Sequence, residues 1–366
     1  MSIDPSRLDT PEGTGPAPVL TYATDERSPA RRRLARWLPA KPFAAGVLAV
    51  IVPQPVGLFM TWLSVAVLRE YGWALFVMLP SALGFAAAVV FSAGHRRSLG
   101  QCVGVGMLAV LAYGVALMLF AMEGAVCVVM ALPLALPLAA IGGAVGSLFG
   151  GTTSRHGYGR GLLGTVIVLL PALMGAERAL HQGAAPSFAV TTVVEVGAPP
   201  EVVWRHVVDF PTLPPPREFM FRAGVAYPIA ATIAGAGVGA VRRCEFSTGA
   251  FVEPITTWDQ PRLLKFDVTS NPPPMREWSF WNDVHPPHLD NFLISRGGEF
   301  RLTPLPGGRT RLQGTTWYQH HMWPAGYWKL WSDYFIHTIH LRVLEHVKGL
   351  AENDAFILES AAETGD

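Results

Sequence analysis

The chain is 366 residues long, which gives room for two or three domains. Half of its residues are apolar and 15% are charged, against roughly 25% charged in soluble domains. A formal net charge of +1 offers nucleic acid no evident surface, and three cysteines do not make a disulfide framework.

Residues 1–40 are rich in Pro, Ser, Thr, Asp and Glu and turn basic at Arg31, Arg32, Arg33 and Arg36. They show no apolar periodicity, so a disordered basic tail on the cytoplasmic side is expected. The first apolar stretch begins too late for a cleavable leader. Five apolar segments follow, at about 43–68, 73–94, 102–122, 124–149 and 161–176. A span needs about 20 apolar residues, so 41–176 reads as a membrane domain of five transmembrane helices, the fifth being the shortest. Pro53-Gln54-Pro55 interrupts the first segment. Cutting there leaves two pieces too short to span, which predicts one kinked helix.

The loops set the orientation. Arg31 to Lys41, Arg96 with Arg97, and Arg155 with Arg160 fall on one side; Arg69, Glu70, Glu123 and Arg178 fall on the other. The positive-inside rule places the first group in the cytoplasm. The expectation is an integral protein of the cell inner membrane with a cytoplasmic N-terminus and an extracytoplasmic C-terminal domain. If the fifth segment does not cross, that domain is cytoplasmic instead. No charge lies within a span, which favours an anchor over a conduit; Glu123 reads as an interfacial loop carboxylate. Gly142, Gly146 and Gly150 make a double GxxxG spacing that allows close helix approach and a homo-oligomer.

After a linker at 177–187, residues 188–352 change character. A strand is expected from Ser187 to Val196, then a short helix opened by Pro199 and Pro200. Further strands are expected at 226–234, 240–246, 251–257, 263–269, 299–304 and 310–320, separated by Gly- or Pro-rich turns. A long helix closes the domain. Ile336, Ile339, Val343 and Val347 form its apolar stripe, with Asp333, His337 and His340 along one edge. Residues 353–366 read as a flexible tail. Strand, helix, consecutive strands and long helix in that order imply an α+β fold with an antiparallel sheet.

That order, with the segments VTTVVEVGAPPEVVWRHVVDF, WDQPRLLKFDV and GGEFRLTPLPGGRTRLQGTTWY and the terminal amphipathic helix, resembles the START/polyketide-cyclase-like (SRPBCC) superfamily. The resemblance covers 188–352 and none of the membrane half. It implies a helix-grip fold, in which a curved antiparallel sheet wraps a long C-terminal helix around an apolar cavity. The whole chain is then a multi-span α-helical membrane domain plus an α+β helix-grip domain. The superfamily includes lipid and hormone binders, cyclases and transfer proteins. No catalytic signature of one subfamily is present, so no catalytic residue carries over.

Strand alternation selects candidate cavity residues. Leu312, Gly314, Thr316, Tyr318 and His320 share one face of the last strand, and Phe300 and Leu302 mark the inward face of the strand before it. Phe246 and Phe251 flank the turn Ser247 to Ala250. Paired across it, Cys244 opposes Glu253 and Arg242 opposes Ile255, which makes Arg242 and Glu253 diagonal neighbours on an inward face. A slip of one residue brings Arg243 and Glu245 inside instead. An inward Arg242–Glu253 pair is either a structural ion pair or the polar anchor of an apolar ligand site. Ile336 and His340 complete the candidate lining from the helix. His320, Asp333, His337 and His340, with Glu253, are candidate acid–base groups, against plain hydrogen bonding where sheet meets helix. Their spacing is no recognised zinc signature, and neither a metal nor a cofactor is expected. His285-Pro-Pro-His288 reads as a loop brace.

The stretch from Asn271 to Gly298 is too long for a tight hairpin. Its Trp278, Phe280 and Trp281 either cap the core or form a lid that touches the bilayer, since Trp favours the interface. The favoured expectation is a membrane-anchored protein that binds or transfers a lipid or other apolar small molecule. The alternatives are a membrane-tethered cyclase- or hydrolase-like enzyme, or a helical half with its own transport or sensing role.

Overall fold

Apolar runs bounded by Pro, Gly and charged loops give helices in the first half of the protein. The computed structural model describes residues 41–363 apart from 94, 150–157, 182–184 and 282–283; the expected basic tail 1–40 and Gly150 lie outside them. Helix α1 (Pro42–Val67) bends at Val52 and Pro53 and stays one 26-residue element, because Pro53 and Pro55 each remove a backbone donor. Helices α2 (Ala74–Phe91), α3 (Leu99–Leu119) and α4 (Ala125–Phe149) follow. Among the described residues, α1 to α4 are long and apolar enough to cross a membrane. Helix α5 (Tyr158–Leu180) is outside that set; its Leu170 and Met174 are buried in the core of the bundle.

The glycines of α4 are used within the chain. A Cβ on Gly142 would stand 2.0 Å from the Ser81 carbonyl oxygen, and one on Gly146 would stand 2.7 Å from that of Phe85. Helix α2 therefore occupies the face expected to meet a second copy. Outward, the bundle presents Phe59, Leu108, Leu111, Val115, Val129, Ile141 and Leu148.

Alternating burial makes the second half a sheet. Strand β1 (Ser187–Val196) buries every second residue from Val190. Helix α6 (Pro200–Val208) starts with a proline, which suits a first turn, and buries Val202, Val203, Trp204 and Val207. After the short α7 (Phe219–Arg222) come β2 (Pro228–Ala234), β3 (Val241–Phe246), β4 (Gly249–Asp259), β5 (Leu263–Asp267), β6 (Leu293–Leu305) and β7 (Arg309–His320). They form a seven-stranded antiparallel sheet in the order β1-β7-β6-β5-β4-β3-β2. The last helix, α8 (Ala325–Glu363), lies against it. Val343, Leu344 and Val347 enter a core with Leu264, Leu302, Leu312 and Trp204. This curled sheet gripping a C-terminal helix is the helix-grip arrangement.

Two expectations need correction. Helix α8 continues to Glu363, so residues 353–363 are helical rather than a loose tail, and 364–366 of the expected tail lie outside the described residues. The helix is tied down where the expected domain ends: Glu352 accepts from Gly197 N at 2.7 Å, and Asp354 meets His206 at 2.9 Å. The β3–β4 register is also tighter than expected. Arg242 pairs directly with Glu253, and Cys244 with Phe251, across a two-residue turn, Ser247-Thr248. A shift of two leaves every side chain on its expected face.

The halves are joined by more than a linker. Tyr71, Leu75, Phe76 and Met130 of the helical half share one core with Met220, Phe221, Met275, Trp328 and Phe335. The rings of Phe76 and Trp328 are 4.7 Å apart. Trp323 N donates to Tyr71 O at 2.8 Å, and Tyr327 Oη donates to Met130 O.

Candidate functional site

Between the sheet and α8 lies a cavity of about 160 Å³, roughly ten times the space one water needs. Its floor is aromatic and aliphatic: Phe246, Phe251, Phe266, Phe300, Ile336, Ile339, Val343 and Leu344. Gly298 allows this shape, because a Cβ there would stand 2.6 Å from the Phe266 ring.

Asn271, Ser295, Glu299, Thr315, Thr316 and Tyr318 add polar side chains to the wall, and two further polar groups stand in it. The first is Arg242, 2% exposed, ion-paired with Glu253, 6% exposed. Arg242 Nε also donates to Val208 O at 3.1 Å. Its guanidinium carbon lies 5.5 to 5.7 Å from the ring centres of Phe210, Phe266 and Phe300, within cation–π range. Burial pushes the Glu253 carboxyl up, and Arg242 pulls it back. Burial also pushes the neighbouring Cys244 thiol up to about 12, so it is inert. Arg243 and Glu245 are exposed, so the one-residue slip does not occur.

The second group is His340. Its Nε2 meets Thr316 Oγ1 at 2.8 Å and its Nδ1 meets Thr192 Oγ1 at 3.1 Å. Burial, reinforced by His337, lowers the imidazole to about 4. Its polar neighbours are His337 and these two threonines, with Arg242, Glu253 and Tyr318 also on the cavity wall. Tyr318 lines the same wall and donates to Asp333 at 2.6 Å; burial and Asp333 raise its hydroxyl.

Of the expected lining, Arg242, Phe246, Phe251, Glu253, Phe300, Thr316, Tyr318, Ile336 and His340 all border the cavity. Leu312 and His320 do not. They sit near opposite ends of β7, while the cavity spans only its middle, Gly314 to Tyr318. Leu312 is core, and His320 is buried against the Phe188 ring with centres 5.1 Å apart.

Of the acid–base candidates, Glu253 and His340 border the same cavity, and His337 and His340 share Thr192 Oγ1. Glu253 is taken by Arg242, His337 by Thr192, and Asp333 by Tyr318 and Lys329. Among the described residues, no two of the five candidates are hydrogen-bonded to each other.

Sequence reasoning missed the wall built by Asn271 to Met275. The run of three prolines is its only signal, a stiff stem. Met275 bridges to Val225, and Arg276 N donates to Gly224 O at 2.8 Å. Gly224, at φ +121°, is required: a Cβ would lie 2.1 Å from Arg276 O.

Beyond the stem, the insertion docks on the helical half. Trp278 O accepts from Ala125 N at 2.8 Å, and Glu277 Oε2 from Val126 N at 3.2 Å, so the insertion satisfies donors at the start of α4. Trp281 Nε1 donates to Leu119 O, at the end of α3. Trp278, Phe280 and Trp281 are 67%, 62% and 54% exposed. They are not core caps, and none lines the cavity. Glu123, expected at a loop surface, is buried against Tyr71 and His288; of the expected brace, His285 alone pairs locally, with Asp290.

Residues 187–320 match the family model described as polyketide cyclase / dehydrase and lipid transport. The match overlaps the segment 188–352 that resembles the START/polyketide-cyclase-like superfamily and touches none of the apolar helices. Among solved structures, an aromatase/cyclase from Streptomyces sp. R1128 is 16% identical, covering 46% of this chain and 94% of its own, with a TM-score of 0.31. A norcoclaurine synthase point mutant from Thalictrum flavum is 13% identical, covering 47% and 99%, with a TM-score of 0.32. No curated protein matches the chain.

Proposed function

We propose that the protein binds a lipid or other apolar small molecule in the helix-grip cavity while anchored in a membrane by its helical half. The carrying observation is the cavity: about 160 Å³, walled mainly by aromatic and aliphatic side chains, with Arg242–Glu253 and His340 among its polar points. Few polar groups in a mostly apolar pocket can orient an amphipathic ligand without excluding its apolar body. The family description, which includes lipid transport, agrees with this reading.

Membrane anchoring is supported by four long apolar helices whose outward faces are apolar and by the exposed Trp73, Trp278 and Trp281 at the docking end of the bundle. Tryptophan at that level suits a bilayer interface. The proline stem that walls the cavity leads directly to this aromatic edge. A ligand that leaves the bilayer there avoids a water crossing, which is costly for apolar surface.

The test is native mass spectrometry and solvent extraction of the full chain purified from its membrane. An apolar molecule should be recovered at near-stoichiometric yield. Gly314→Ile should empty the site: Gly314 borders the cavity, and a Cβ there finds no atom closer than 3.5 Å. Equal recovery from a folded Gly314→Ile protein would place the ligand elsewhere.

A further inference from the structure

Away from the cavity, Glu123, Cys127 and His288 bring one ligand atom each within 4.8 Å of one another, all three residues buried. They come from separate places. Glu123 lies in the α3–α4 loop, Cys127 on the first turn of α4, and His288 on a 3-10 turn at Pro287–Leu289 within the insertion. Glu123 Oε1 accepts from Tyr71 Oη at 2.8 Å. Glu123 Oε2 stands 3.2 Å from His288 Nδ1, yet it has no hydrogen bond of adequate geometry. Behind the ring, Glu277 Oε1 stands 3.4 Å from His288 Nε2; neither atom has a hydrogen-bond partner, and the Glu277 side chain is 0% exposed.

Buried polar atoms left without partners are costly and require a reason. Of these atoms Glu123 Oε2 faces His288 Nδ1, which also meets Tyr71 Oη at 3.5 Å, and with the Cys127 thiol the three residues supply one oxygen, one nitrogen and one sulfur. We propose that this cluster is a zinc-type transition-metal site, with Glu123 Oε2, Cys127 Sγ and His288 Nδ1 as ligands. Glu277 is a positioning residue: it accepts the Nε2–H of His288 and so presents Nδ1 to the metal. A carboxylate behind a ligating histidine is the usual outer partner of such sites. Mixed S, N and O donors suit a borderline-soft ion, whereas calcium and magnesium take oxygen ligands. Cys127 binds as the thiolate, and its proton leaves to solvent. The fourth position opens toward a cavity of about 70 Å³ lined by Tyr71, Glu123 and Cys127, where a water completes the shell. The metal ties the insertion to the helical half, because its ligands come from both.

The test uses the full chain in detergent, purified without chelator, exposed to excess Zn²⁺ and washed. One zinc per chain is expected, and Co²⁺ in its place should give a thiolate charge-transfer band. Cys127→Ser and His288→Gln should each abolish that band and lower zinc affinity by more than about tenfold. Glu277→Gln should cost about 10- to 100-fold, as outer partners do. Cys102→Ser, remote in a separate apolar cluster, should leave both readouts unchanged. Wild-type protein that retains no zinc and shows no thiolate band with Co²⁺ overturns the site, whatever the variants do. So does full zinc affinity in a folded Cys127→Ser protein.

Discussion

At the scale of single residues, the Arg242–Glu253 pair decides most about the cavity. Removing one partner leaves the other charge buried, which costs about 3–5 kcal/mol. Glu253→Ala should therefore destabilise the protein by that amount in denaturant titrations. Arg242→Met with Glu253→Leu should recover most of the loss but weaken ligand capture; a double variant as unstable as the single one would mean the pair is not the cause. Two histidines of the helix-grip half, buried His320 and half-buried His340, make stability depend on pH. Burial holds His340 and His320 at about 4, against an ordinary 6.5. Both are neutral when folded and protonate more readily once unfolded. Their contribution is complete above about pH 6.5 and is lost as pH falls toward about 4, at up to about 1.4 kcal/mol per pH unit for each group. Melting temperature should fall across that window, and His340→Gln should reduce the slope by one proton's share. The same slope in wild type and variant would show that His340 does not titrate there. Arg242 and Glu253 were legible as an inward pair because their faces follow from alternation alone. The roles of Glu123 and His288 were not, because nothing local brings together residues so far apart in the chain.

At the scale of elements, β1 was legible from Val190, Val194 and Val196, and the apolar stripe of α8 from Ile336, Ile339, Val343 and Val347. Turn length was not: a two-residue turn at Ser247-Thr248 moved the β3–β4 register by two without changing any face. The continuation of α8 past residue 352 was missed because the contact that ties it down there, Asp354 with His206, is made to a residue distant in the chain. Only the composition of the insertion was legible, because its path is set by what it docks against. Since Trp278, Phe280 and Trp281 are exposed in the structure, replacing all three with Ala should cost little stability. If they sit at the bilayer surface, quenching of tryptophan fluorescence by brominated lipid should fall in the triple variant reconstituted as the full chain. Unchanged quenching would assign these rings to water, and loss of the fold would assign them to packing the structure does not show.

At the scale of the molecule, the helical half and the helix-grip half behave as one body because they share a core around Tyr71, Phe76 and Trp328. Trp328→Ala should cost about 3–5 kcal/mol, as for other large buried aromatics. The docking also constrains orientation. The domain meets the α1–α2 loop through Tyr71, the α3–α4 loop through Glu123, and the end of α5 through His181, whose ring stacks on Trp323 with centres 4.4 Å apart. Arg96 and Arg97 lie between α2 and α3, at the other end of both helices. The 18 residues of α2 separate these ends by about 27 Å at 1.5 Å per residue, close to the thickness of a hydrocarbon core. The domain and the Arg96–Arg97 loop are therefore expected on opposite sides of the membrane, and the positive-inside rule assigns the arginines to the cytoplasm. The natural cysteines Cys102, Cys127 and Cys244 are buried, so single surface cysteines can report the sides. A membrane-impermeant maleimide applied to intact cells should label Thr303→Cys, an exposed site on β6, and should reach Arg96→Cys only after permeabilisation. The reverse pattern would keep the opposite-side geometry and invert the protein, placing the cavity in the cytoplasm. Labelling of both sites from one side would mean that α2 and α3 do not span the bilayer, and the membrane anchor would fall with them.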